Sequence, residues 1–157
     1  MSAPPGSQHE LSMNLPAVHR GVRVARSLLL RFARMEGLSE SEASSIGLVV
    51  SEMLANAIDH GSAGAAMTEA DLKSDVRMRL TLQLSPTSWN LSVTDQCGGD
   101  AEALSEILRG AADFDPMDDR GRGMFMMRAY VDELVVNKSR DGQGLTIRAS
   151  KRYAPAD

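Results

Sequence analysis

Ser51-Glu52-Met53-Leu54-Ala55-Asn56-Ala57-Ile58-Asp59-His60-Gly61 carries two patterns in one segment. Its apolar residues continue a stripe of Ile46, Val50, Met53, Leu54, Ala57 and Ile58, spaced three or four apart as on the buried side of a helix. Off that stripe, at 100° per residue, Glu52, Asn56 and Asp59 fall within an arc of about 60°. A carboxylate and a carboxamide one turn apart suit a hydrated Mg²⁺ and a base for a nucleophile's proton. A solvated helix face would present the same residues. Ser39 and Glu42 have capping-box spacing at the start of this helix, and Gly61 is its stop signal.

Working outward, Pro16 to Glu36 reads as an earlier helix. Val18, Val22, Ala25, Leu29 and Phe32 lie on one side, Arg20, Arg23, Arg31 and Arg34 on another, and Gly37 ends it. Glu10 to Leu15 alternates polar and apolar residues, as a short strand does. Ser62 to Asp75 reads as a loop. Val76, Met78, Leu80, Leu82 and Leu84 alternate with polar residues, so this strand is half-buried; Ser85 to Ser88 turns the chain. Trp89, Leu91 and Val93 form the inward face of the next strand. Ala101 to Leu108 reads as a short helix, Ala111 to Arg120 as an aspartate-rich loop, and Met124 to Asp132 as a helix. Leu134 to Val136 and Leu145 to Ala149 read as strands joined near Asp141-Gly142. This order predicts an α+β fold: a two-layer α/β sandwich whose mixed, mostly antiparallel sheet is covered on one face by helices.

Two further constellations carry chemistry. Asp95 continues the inward parity of Trp89, Leu91 and Val93, and a carboxylate there needs a partner or a ligand. An adenine amino group would serve, and so would a capped turn. Gly98-Gly99 follows, where the backbone can bend or approach a ligand. Arg120-Gly121-Arg122-Gly123-Met124 precedes a predicted helix, where free N–H groups and arginines favour a phosphate. A plain loop-to-helix turn reads the same way.

Composition narrows the class. A length of 157 residues makes one domain, expected over 9–153, with 1–8 as a disordered tail and 154–157 as a short C-terminal one. The net charge of -4 argues against broad binding to a phosphate backbone. The single cysteine, Cys97, excludes an internal disulfide. No apolar run would cross a bilayer and the N-terminus lacks a signal-peptide pattern, so the cytoplasm is expected.

Together, in this order, the three constellations resemble the histidine-kinase-like ATPase superfamily, and within it the small anti-sigma factor serine kinases of bacteria. Glu52 to Gly61 looks like the N-box and Asp95 to Gly99 like the first glycine box. Gly121 to Gly123, with Met124-Phe125-Met126-Met127-Arg128 and Val131-Asp132-Glu133, is similar to the second. The likeness runs from about Leu11 to Tyr153. It implies the Bergerat-type fold, ATP and Mg²⁺ as cofactors, and transfer of phosphate to a serine of an anti-anti-sigma (STAS-type) protein. It further implies sequestration of a sigma factor or another partner-switch target, and a possible homodimer.

Glu52 would be the general base, and Asn56 would ligate Mg²⁺. Asp95 would hold the adenine amino group, with Thr146 in support. Asp59, His60 and Met124 would line the pocket. Gly99, Gly121 and Gly123 would shape the pocket and its lid, and Arg122 would reach a phosphate. Arg20, Arg23 and Arg26 offer an acidic partner a cationic face, although a solvated basic face would look the same. The family's Asp-x-Gly-x-Gly is here Asp95-Gln96-Cys97-Gly98-Gly99. If position 97 needs a left-handed backbone, Cys97 costs about 1–2 kcal/mol. That would weaken nucleotide binding roughly tenfold. The alternative is a catalytically degenerate module that holds a partner without phosphoryl transfer.

Overall fold

A computed structural model describes residues 7–59, 76–96, 101–102, 105 and 119–154, with the side chains of residues 59 and 119–122 outside that description. Five strands, β1 (His9–Pro16), β2 (Arg77–Ser85), β3 (Ser88–Thr94), β4 (Glu133–Lys138) and β5 (Leu145–Arg152), form one sheet in the order β1-β2-β3-β5-β4. All four pairings are antiparallel. Among the described residues the bounded helices are α1 (His19–Met35), α2 (Glu40–Asp59) and α3 (Asp119–Tyr130), and residues 101, 102 and 105 are helical too. This is the α+β arrangement that the order of elements predicts.

Alternation decides which face the helices cover. Leu80, Leu82, Trp89, Leu91, Val93 and Ala149 are buried in one cluster with Ile46, Val50, Met53, Leu54 and Ile58 of α2. Their strand neighbours are polar and form the opposite, open face, as antiparallel sheets allow. Fully burying each such side chain contributes roughly 1.5–3 kcal/mol, so the sheet–α2 contact dominates the core. α1 sends Ala25, Leu29 and Ala33 to the same core.

The boundaries follow local chemistry. Gly37 takes φ +87°, and the N–H groups of Gly37 and Leu38 donate to the carbonyls of Arg34 and Ala33, closing α1. Ser39 Oγ accepts from the Glu42 N–H at 3.2 Å. The return half of the expected capping box does not form. Glu42 instead accepts from Trp89 Nε1 at 3.1 Å and Lys151 Nζ at 2.9 Å. A part-buried indole N–H and an ammonium outcompete a helix-end amide that water can reach. This pin ties the start of α2 to the start of β3 and the end of β5.

α3 corrects a second expectation. It begins at Asp119, not Met124, so Arg120 to Gly123 belong to its first turns. The expected loop from Ser62 to Asp75, most of the helix from Ala101 to Leu108 and the aspartate-rich segment up to Asp118 lie outside the described residues.

Candidate functional site

Glu52 and Asn56 stand one turn apart on α2, both half-buried. α3 packs against them with its second glycine. A Cβ at Gly123 would lie 2.4 Å from Glu52 Oε2, so the carboxylate fills the space a side chain there would take. One residue on, Met124 Sδ accepts weakly from Asn56 Nδ2 at 3.9 Å. Met124 and Met127 are buried and anchor α3 to the core. Gly123 thus serves close helix packing inside α3 as well as any flexibility before it. The free N–H groups of the first turn of α3 give this junction a positive end.

Asp95 closes β3 at the other layer. It is 8% exposed, and its inward parity holds. Its N–H donates to the Leu145 carbonyl at 3.0 Å, and its Oδ1 accepts from the Leu145 N–H at 3.0 Å. Gly144 makes that fit possible: a Cβ there would lie 2.0 Å from the Asp95 carbonyl oxygen and 2.7 Å from Oδ1. The β4–β5 turn holds Gly144 in place. Gly144 N–H donates to Ser139 Oγ at 3.0 Å, Ser139 N–H to the Gly144 carbonyl at 2.8 Å, and Ser139 Oγ to Asp141 Oδ1. The Ser139 hydroxyl, then the Gln143 N–H, holds the Asp141 carboxyl below the usual aspartate range.

The two layers share a reference point in the Glu42–Trp89 pin. From Glu42 to Asn56 a helix rises about 21 Å. From Trp89 to Asp95 a strand advances about 20 Å. Both elements leave the pin from their N-terminal ends, so running in parallel they would bring Asn56 and Asp95 to one end of the sandwich.

Thr146 lies one residue beyond the Asp95 partner on β5 and lines the same trough. It is the cross-strand partner of Thr94, and the two hydroxyls hydrogen-bond at 2.8 Å on the open face. The residue that β5 sets beside Asp95 is Leu145, so any support from Thr146 is indirect. Gly121 and Arg122 lie in the first turn of α3, and Asp59 ends α2; their side chains are outside the description, as are His60, Cys97 and Gly99 entirely. The three α1 arginines expected to meet a partner are all exposed. Of these, Arg26 also lies across Gly47 of α2, whose added Cβ would meet its Nε at 3.2 Å.

Sequence reasoning missed Gly144 and Ser139 and took Asp141 only as a turn residue. The available signal was Asp141-Gly142-Gln143-Gly144 entering a strand whose parity, Leu145, Ile147 and Ala149, already assigned Thr146 to the other face.

The donor set bears on metal. Among the described residues no group of three or more His, Cys, Asp or Glu stands together as a metal cage. Glu52 and Asn56 offer two oxygen donors, which fits Mg²⁺ held mainly by water and ligand phosphates. Among the described residues no helix is long and apolar enough to cross a membrane.

Comparison with known proteins agrees with this layout. Comparison with curated proteins finds no match. A chain of the SiaB-SiaC complex from Pseudomonas aeruginosa superposes with a TM-score of 0.66 at 18% identity, covering 89% of this chain and 88% of that one. The RsbU and RsbW domains of Rv1364c from Mycobacterium tuberculosis give 0.59 at 19% identity, covering 94% of this chain and 34% of that one. At such identities the likeness concerns the fold. The histidine kinase-like ATPase domain matches residues 15–151. The chain is therefore a member of the histidine kinase-like ATPase domain family.

Proposed function

We propose that this chain binds Mg-ATP between α2 and the β3–β5 end of the sheet and phosphorylates a serine of a protein partner. The reading rests on one observation above the others: Glu52, in contact with Gly123, and buried Asp95 lie in separate layers that both run from the Glu42–Trp89 pin. Asp95 has its Oδ1 engaged by the Leu145 N–H, which orients the carboxylate. That carboxylate then accepts from the adenine amino group. Asn56 ligates the ion that offsets phosphate charge. The N–H groups at the start of α3, with Arg122, receive the phosphates. Asp59, His60, Gly99 and Gly121 complete the pocket walls.

Transfer asks for positioning and charge stabilisation. The acceptor serine Oγ bonds to the γ-phosphorus while the bond to the β–γ bridging oxygen breaks. ADP leaves, and the serine proton passes to Glu52. The partner-switch role follows from the family resemblance and from neighbours that include a two-protein complex and an RsbW domain. It makes the chain a cytoplasmic anti-sigma factor or related regulator acting on an anti-anti-sigma (STAS-type) protein, with a sigma factor or similar target held in turn. Arg20, Arg23 and Arg26, all exposed on α1, are the cations offered to that partner.

Glu52→Ala should abolish transfer, read by mass spectrometry of the acceptor protein, while calorimetry shows ATP still bound. Undiminished transfer by that variant sinks the assignment. Binding without transfer by the native chain favours the non-catalytic module, the reading that Cys97 in the first glycine box supports.

A further inference from the structure

The open face of the sheet is a concave trough of about 940 Å³ that the nucleotide reading uses only at its Asp95 end. Its charges are lopsided. Each acid lining it is engaged: Glu10 by Gln83 Nε2 at 2.8 Å, Asp141 by Ser139, and Asp95 by the Leu145 N–H. Arg77 is tied to Asn14. Arg79, Lys138, Arg140 and Arg148 have no partner among the described residues, in a chain whose net charge is -4.

Register places the two central arginines. Arg79 on β2 is the cross-strand neighbour of Thr94, and Arg148 on β5 that of Ser92. They therefore flank β3 from opposite sides, over two hydroxyls. Two strand spacings separate β2 from β5, about 10 Å. An extended polypeptide presents alternate side chains on one face about every 7 Å, within reach of both guanidinium groups. Among the described residues no aromatic ring lines the trough, and stacking rings are what single-stranded nucleic acid relies on. Apart from Met78 the strand lining is polar, so an apolar helix face finds little to bury there.

We propose that this face is a docking surface for an extended acidic segment of a protein partner, held by Arg79 and Arg148 with Lys138 and Arg140 at the β4 end. It extends the protein-partner reading above to a second surface, and it is independent of nucleotide.

The test uses the native chain without nucleotide and a fluorescein-labelled peptide of alternating Glu and Ser, followed by anisotropy. Binding is expected to weaken at least about tenfold in Arg79→Gln/Arg148→Gln. It should fall as salt rises and stay unchanged in Arg31→Gln on α1. Arg79, Arg148 and Arg31 are exposed, and circular dichroism checks that the variants fold. The proposal is overturned if the α1 variant weakens binding as much, if the peptide fails to bind, or if oligothymidylate binds more tightly than the peptide. Those failures leave ATP binding untouched, whereas loss of ATP binding leaves the peptide result standing.

Discussion

Gly144→Ala is the substitution whose outcome the structure specifies most closely. The new Cβ would lie 2.0 Å from the Asp95 carbonyl oxygen, against 3.4–4 Å for ordinary contact. Backbone faces backbone there, so no side chain can swing aside. β5 and the end of β3 must separate by more than an ångström at this point. That breaks the Asp95 N–H to Leu145 bond and the Leu145 N–H to Asp95 Oδ1 bond, each 3.0 Å now. One is neutral and one charge-assisted, so the loss is about 2–4 kcal/mol. For a domain of this size the melting midpoint should fall by roughly 5–15 °C. Displacing the Asp95 carboxylate also costs the adenine contact, weakening ATP by roughly tenfold to a hundredfold. Differential scanning calorimetry and titration calorimetry read the two effects. A melting point within about a degree of the native value, with unchanged affinity, refutes the reasoning.

Gly123→Ala should push the Glu52 carboxylate, the far end of a flexible side chain, off its site; phosphoryl transfer should slow at least about tenfold while ATP binding changes little. Equal losses in both would place Gly123 in the nucleotide pocket only. Glu42→Ala leaves Trp89 Nε1 and Lys151 without their acceptor and should cost about 2–3 kcal/mol, with Glu42→Gln costing less. Trp89 is the single tryptophan, so its fluorescence reports the unfolding curve. Asp141 titrates below its ordinary value in the folded chain, so its hold on the turn is complete above that value and is lost as pH falls through the depressed one. Amide exchange at Gln143 and Gly144 should therefore rise below about pH 4, and Asp141→Asn should remove that dependence; a pH-independent native turn contradicts it.

Most of the fold was legible because its elements alternate or repeat cleanly. β2 buries Met78, Leu80, Leu82 and Leu84 as its parity requires, and α2 buries the stripe that runs through Ile46 and Met53. What escaped were contacts between distant segments. Glu42 has the spacing of a local cap, yet a part-buried indole and a lysine on other strands claim it. The start of α3 was hidden because two glycines within four residues read as loop, although tight packing against Glu52 is what Gly123 serves. Gly144 was missed for the same reason: its role is visible only beside Asp95. Thr146 was assigned by likeness, while strand parity, available in Leu145, Ile147 and Ala149, puts its hydroxyl on the open face with Thr94.

Titration calorimetry of the native chain and of Asp95→Asn with Mg-ATP addresses the pocket most directly. One nucleotide should bind per native chain, and the variant should lose at least about tenfold in affinity while melting as a folded protein. Equal affinity in the two, or no heat of binding from the native chain, would contradict a nucleotide seated on that buried carboxylate.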